Sequence, residues 1–334
     1  MRSPLYYLLP VMGGYAVTSY YLLKNPHLLH KKKKLPFYCR HISHRGGAGE
    51  RIENTLEAFD NAMSNHTDLL ELDCHITKDG KVVVSHDLNL LRQTGHDVSI
   101  CDITYEELPL YREHLEVTFF PGHYSSGSDR RFPLLEEVFQ RFPHMPINVE
   151  IKEETPELVK KVSDLVKRYQ RSERTIWASE KDPVMKLCQE ENPDMPIMFT
   201  ARRGLMLLLL FYTGLLPFVP LRESVLETYM PSIINRTYFP HSRIMRNRFL
   251  VFLQEKLMMR KGLFQHLQAR GIQVYLWVLN QDSDYQRALE SGADGIMTDY
   301  PSKLRCFLQR HEGAQRAGSG ARGPVTADRQ GSSY

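Results

Sequence analysis

From about residue 40 to residue 300, short apolar runs that read as strands alternate with longer runs of helical period. The strand-like runs cover residues 40–43, 69–76, 82–85, 147–151, 175–178, 197–200, 273–278 and 295–298. Helical patterns fall between them at 55–64, 134–141, 156–169, 183–191, 263–270 and 282–290. Asn54 followed by Glu57 resembles a helix start, and Gly271 and Gly292 sit where two helices should stop. Repeated strand–helix units imply a parallel sheet with helices outside it. The length of the region, and the lack of a Gly-rich dinucleotide fingerprint, favour an α/β fold of the closed (β/α)8 TIM-barrel type over an open sheet.

The charged motifs then acquire a common place. His44-Arg45-Gly46, Glu71-Leu72-Asp73, His86-Asp87 and Glu150-Ile151-Lys152 lie on strand-like runs or just past them. In such barrels chemistry sits at the C-terminal ends of strands. Glu71 and Asp73 are two apart on one strand, so their side chains share a face. Side by side, two carboxylates repel unless a cation lies between them. With Glu150 they make an all-oxygen set, suited to Mg²⁺ or Ca²⁺ rather than zinc; pairing with Arg and Lys is the plainer alternative. His44 and His86 are candidate general base and acid, because imidazole titrates near neutrality. His86 is a further candidate metal ligand. Arg45 and Lys152 offer positive charge to phosphate oxygens, and Gly46-Gly47 permits close backbone approach. Glu53 and Asn54 either orient His44 or Arg45 or only cap the next helix. Trp277 reads equally as a pocket wall or as core.

Composition limits the remainder. The 334 residues carry a net charge of only +4, so overall charge gives no reason to expect a nucleic-acid partner. Five cysteines form no CxxC pair and suggest neither a disulfide framework nor a zinc site. No protein partner is inferable.

No Asp or Glu precedes Glu50. Residues 3–23 are uncharged, and as a helix they would span roughly 31 Å at about 1.5 Å per residue, one hydrocarbon core. Residues 1–23 are therefore expected to form a transmembrane anchor, with a signal peptide and a buried helix as rivals. The expected protein is integral to the endoplasmic reticulum or another intracellular membrane. The run Lys31–Lys34 in the 24–40 linker reads as a solvated stretch or a lipid-facing basic cluster. It would place the barrel in the cytoplasm, whereas Asn65-His66-Thr67 and Asn235-Arg236-Thr237 match a lumenal glycosylation pattern. Fully extended, the linker would reach roughly 56–61 Å at about 3.3–3.6 Å per residue, letting the barrel turn its face to the bilayer. The barrel domain itself is expected over 41–312, with insertions at 88–133 and 204–240. The first should form a polar lobe over the catalytic face. The second begins with the uncharged run 204–221, read as dipping into the membrane interface, with a core helix or second span as alternatives. Residues 313–334 lack apolar period and are expected to be a disordered tail.

Taken together, the motifs resemble the glycerophosphodiester phosphodiesterase family. The resemblance rests on His44-Arg45-Gly46, Glu53-Asn54-Thr55, the run from Glu71 to Gly80, His86-Asp87 and Glu150-Ile151-Lys152, with Trp277–Asn280 and Thr298–Pro301 as closing motifs. Ile52 stands where the family often has proline, and Val278 where it often has threonine. With a basic linker and an Arg-flanked apolar insertion, the chain looks like the membrane-anchored members of lysophospholipase D type. The resemblance implies a metal-dependent hydrolase: Glu71, Asp73 and Glu150 hold the metal, His44 and His86 act as base and acid, and Arg45 and Lys152 bind phosphate. The expected reaction releases the headgroup alcohol from a lysophospholipid at the bilayer, giving lysophosphatidic acid or its cyclic form. A phosphodiesterase for soluble diesters such as glycerophosphocholine is the first alternative. A non-catalytic protein that only binds phosphate headgroups is the second.

Overall fold

The structure is a computed structural model that describes residues 5–238 and 244–320. In chain order its strands are β1 (His41–Ser43), β2 (Leu69–Ile76), β3 (Val82–Val84), β4 (Leu115–Glu116), β5 (Tyr124–Ser125), β6 (Ile147–Ile151), β7 (Thr175–Ala178), β8 (Val225–Tyr229), β9 (Gln273–Trp277) and β10 (Gly295–Thr298). Its helices are α1 (Leu5–Lys24), α2 (Leu56–Ser64), α3 (Leu91–Thr94), α4 (Leu135–Arg141), α5 (Pro156–Arg168), α6 (Asp182–Glu191), α7 (Ala201–Thr213), α8 (Arg248–Met258), α9 (Lys261–Ala269), α10 (Asp282–Ser291) and α11 (Pro301–Gly320).

The sheet runs β7-β6-β2-β1-β10-β9-β8, and each of these neighbours pairs in parallel. Helices cover the outer face of the parallel sheet, so β2 (LLELDCHI) and β6 (INVEI) are buried along almost their whole length although polar residues alternate with apolar ones in both. The sheet curls until its two edges approach. There the Met198 amide donates to Trp177 O and the Phe199 amide donates to Val225 O, each at 3.1 Å. Residues 197–198 thus bridge β7 to β8 in parallel. This is the curled sheet of a TIM-barrel fold.

The expected strand 197–200 forms only these isolated bridges and ends at Thr200, the cap of α7, and two further strands differ from the sequence expectation. The run 82–85 contains β3, which turns back antiparallel onto β2 and is no step of the parallel series. Its place is taken by β8, whose residues VLETY mix Val with Glu227 and Tyr229. Only Val225 and Leu226 are buried in it, too short an apolar run to read as a strand. Helix α8 was likewise unexpected; Asn247 starts it by accepting from the Phe249 and Leu250 amides.

The helices follow their patterns. α5 begins at Pro156 and buries Leu158, Val159, Val162 and Val166 at helical spacing, while Lys167 and Arg168 lie at its C-terminal end. α2 is capped by Thr55, whose side chain accepts from the Ala58 amide, rather than by Asn54. One apolar cluster fills the space between the sheet and α4, α5 and α6. A second lies under α7, α9 and α10. The insertion 88–133 carries its own small core, in which Tyr111 and Phe132 stack 4.0 Å apart.

The N-terminus corrects a further expectation. Among the described residues no helix is long and apolar enough to cross a membrane, so the expected anchor over 1–23 and the integral-membrane location are overturned. Helix α1 has the length but not the hydrophobicity: Gly13, Gly14, Thr18, Ser19 and its tyrosines dilute the apolar run. It lies along the barrel instead. Tyr15 Oη donates to Thr213 O and Ser19 Oγ to Gly214 O, both at 2.6 Å, and His266 Nδ1 bonds Leu23 O at 2.7 Å. The linker is also docked. Lys33 Nζ donates to the carbonyls of Arg222 and Glu223, and its amide donates to Arg270 O at 2.9 Å. Burial lowers the Lys33 ammonium to about 8. The run 204–221 forms most of α7 and a following 3₁₀ turn, Leu216–Phe218. α11 continues to Gly320, past residue 313, where a disordered tail was expected to begin; residues 321–334 lie outside the described residues.

Candidate active site

Just past β1 the chain makes a tight turn through His44, Arg45 and Gly46. Arg45 and Gly46 have φ of 49° and 78°, in the left-handed region. A Cβ on Gly46 would stand 2.7 Å from Phe59 Cδ1, so the turn needs glycine both for its backbone and for its packing. The turn points the Arg45 amide at Glu71, whose Oε2 accepts at 2.8 Å, while the guanidinium reaches Glu53 at 3.0 Å.

Glu71 and Asp73 share the inward face of β2, as their spacing predicts. Strand register sets Asp73 beside Glu150 of β6. One oxygen from each of Glu71, Asp73 and Glu150 lies within 4.8 Å of the others. Lys152 Nζ stands 2.9 Å from Asp73 Oδ1 and 2.8 Å from Glu150 Oε2. Burial would raise the Asp73 carboxyl, but Lys152, His86 and Arg45 outweigh it and hold it well below the usual carboxylate range. Glu71 is pushed far up by burial and by Asp73 and Glu150. Burial also raises Glu150, against the pull of Lys152. Fully ionised, the cluster would hold more negative charge than its neighbours compensate, which is why Glu71 and Glu150 are raised. An oxygen-only donor set with that deficit fits a hard divalent cation. His86 is outside this three-carboxylate group.

Each histidine is oriented through Nδ1. His44 Nδ1 is 2.7 Å from Asp299 Oδ1, and its Nε2 is 4.0 Å from Glu71 Oε2. His86 Nδ1 is 2.6 Å from Asp87 Oδ1. Burial and the nearby Arg45 charge lower both imidazoles, His86 to about 4. Glu53 does not cap a helix. It lies between Arg45 and Arg92, and although burial opposes its charge, the two guanidinium groups hold its carboxyl far below the usual range. Asn54 donates from Nδ2 to Asp73 Oδ2 at 3.3 Å.

Trp277 lines the same cavity, with Tyr229 and Phe119 rings 5.8 and 5.9 Å away. The cavity has a volume of about 760 Å³. It contains His44, Arg45, Glu71, His86, Glu150 and Lys152, so the structure brings these candidates into one chamber. Asn280 and Asp299 fall in the closing motifs but were given no role from the sequence, and Arg92 and Glu227 were missed. Asp299 stands just past β10, a position that could have drawn attention. Glu227 is half-buried and accepts two hydrogen bonds from Asn148 Nδ2, at 2.8 and 2.9 Å; partial burial, with Glu150 nearby, raises it to about 8.

A parallel TIM-barrel sheet with this constellation at the strand ends defines a class. Residues 44–303 match the Glycerophosphoryl diester phosphodiesterase family, and the chain belongs to it. It is a phosphoric diester hydrolase. The human protein named Lysophospholipase D GDPD1 is 55% identical over 91% of this chain and 96% of its own length. Human Lysophospholipase D GDPD3 is 51% identical over 95% and 99%. Among solved structures, a glycerophosphoryl diester phosphodiesterase from Silicibacter pomeroyi shares the fold at 20% identity, with a TM-score of 0.62 over 84% of this chain and 96% of that one.

Proposed function

We propose that the protein is a lysophospholipase D whose catalytic unit spans 41–312 on a barrel closed through residues 196–199. One observation carries the reading: the carboxylate and imidazole cluster opens into the same cavity as a largely apolar wall. An amphiphile bearing a phosphodiester fits such a chamber; a small water-soluble diester would leave the apolar part unused. The close relatives named as lysophospholipases D support it.

Glu71, Asp73 and Glu150 would hold one Mg²⁺ or Ca²⁺. When bound, the ion supplies Lewis-acid polarisation of the phosphoryl oxygen. Arg45 and Lys152 grip the non-bridging oxygens; Lys152 can turn from Asp73 and Glu150 once a cation shares their charge. His44, neutral because it is buried and fixed at Nδ1 by Asp299, presents Nε2 as general base. It takes the proton from the lipid's free glycerol hydroxyl as that oxygen attacks phosphorus. His86, held by Asp87, gives a proton to the departing headgroup oxygen. The anionic diester itself favours the imidazolium form that this requires. The internal hydroxyl has a large proximity advantage over water, so a cyclic phosphate forms first and water opens it to lysophosphatidic acid. Trp277 walls the pocket beside the phosphate. Exposed Tyr212, Phe249 and Phe252 on α7 and α8 would rest against the lipid surface that supplies the substrate.

The test is choline release from lysophosphatidylcholine and glycerophosphocholine with Mg²⁺, Ca²⁺ or chelator, beside Glu71→Ala and His44→Ala. Metal-dependent release from the lysolipid, lost in both variants, is expected. Equal or faster release from the soluble diester would overturn the lipid reading.

A further inference from the structure

The cavity does more than expose the phosphate chemistry. Part of its wall enters the second apolar cluster, where Phe199, Leu207, Leu226, Leu263 and Phe264 line it and are each at most 7% exposed. None of these side chains can bind phosphate, move a proton or hold a metal. α7 roofs this part. Leu207 is its buried residue, whereas Leu205 and Leu209 are each 60% exposed. Gly204 also lines the cavity, and a Cβ there would meet nothing within 4 Å. Glycine inside a helix is unfavourable, and no left-handed φ requires it here. What the glycine provides is open space beneath the roof. The whole cavity falls within the roughly 300–1,000 Å³ usual for ligand sites and is lined mostly by apolar surface.

We infer that this apolar branch receives the acyl chain of the substrate, and that Gly204 sets how long a chain it admits. The inference rests on the lysophospholipase D reading and adds to it. The chain leaves the lipid phase and threads between α7 and α9, so the scissile phosphate is positioned from both ends: by Arg45 and Lys152 at the head and by the Phe199–Phe264 wall at the tail. The alternative is an acyl chain that stays in the bilayer or micelle while only the head enters. That arrangement would place no lipid contact on Leu207 or Leu263.

The experiment compares kcat/KM for lysophosphatidylcholines of 6, 10, 14 and 18 carbons, as probes of about evenly spaced length, in the full chain and in Gly204→Phe. The ratio of long-chain to short-chain turnover is expected to fall at least tenfold in the variant, with an unchanged melting temperature. A ratio unmoved by Gly204→Phe, while the unaltered protein still cleaves lysolipid, would overturn the inference and leave the lysophospholipase D reading standing. Failure of the unaltered protein on every lysolipid would instead sink that reading and the inference with it. A second measurement is independent of turnover. Lysophosphatidylcholine carrying a photoreactive group at the chain terminus should label peptides of α7 and α9. Labelling confined to α1 and α8 would count against an internal chain.

Discussion

Asp299 accepts a hydrogen bond from His44 Nδ1 at 2.7 Å across 255 positions of chain. Asn280 holds the same carboxylate from the far side, donating from Nδ2 to Oδ2 at 2.8 Å and accepting the Asp299 amide at 2.9 Å. The imidazole is thus fixed in one tautomer with Nε2 toward the cavity. Asp299 touches no reacting atom in the proposed mechanism and acts by positioning. Asp299→Asn should lower kcat about 100-fold, within the range of general-base effects, and leave KM within about threefold. The lost carboxylate favours the imidazolium, so the acid limb of the kcat profile should also move to lower pH. An unmoved profile with a raised KM would mean that the residue only supports the fold.

Metal binding should depend on pH in a defined direction. Without a cation, Glu71 is pushed toward its protonated form by burial, Asp73 and Glu150. A bound ion must displace that proton, so affinity falls as pH falls. Thermal stabilisation by Mg²⁺ or Ca²⁺ should be larger at pH 8 than at pH 6, and Glu71→Gln should flatten the difference. Chelator should abolish turnover in the unaltered protein.

Glu53 is almost fully buried between two guanidinium groups. Removing one partner of a buried pair leaves the other charge uncompensated. Glu53→Gln should cost about 3 kcal/mol of stability, read from the midpoint of urea unfolding. A loss of activity at full stability would show that Glu53 matters only through the setting of Arg45.

His41 is a buried imidazole far from the carboxylates, lowered from 6.5 to about 4 chiefly by burial, with Arg305 adding to it. Between those values the unfolded chain holds the extra proton, so stability rises with pH. It is complete above about pH 6.5 and is lost on acidification toward pH 4, by about 3 kcal/mol for this residue. Denaturation midpoints across that window should show the slope, and His41→Asn should reduce it.

The sequence made the two carboxylates of β2 legible because a strand's period is two; nothing more was needed to put Glu71 and Asp73 on one face. Glu150 required only a parallel neighbour in register. Asp299 was harder. It follows a strand like the other site residues, but whether it turns toward His44 depends on β10 pairing with β1, a contact between the two ends of the barrel. β8 was missed because Glu227 and Tyr229 interrupt the apolar run, and their inward placement is visible only once the sheet curls. The N-terminal helix misled for the opposite reason. Its lack of charge suggested hydrocarbon, yet the barrel supplies acceptors for its Tyr15 and Ser19 hydroxyls.

Those two hydroxyls hold the carbonyls of Thr213 and Gly214, where α7 ends. The opposite end of that helix carries Gly204, over the cavity. Helix α1 is thus a buttress for the roof of the reaction chamber. Trimming it to make the protein easier to handle would unpin one end of that roof, so a chain without this helix and the full chain should be treated as two different enzymes when their substrate preferences are compared.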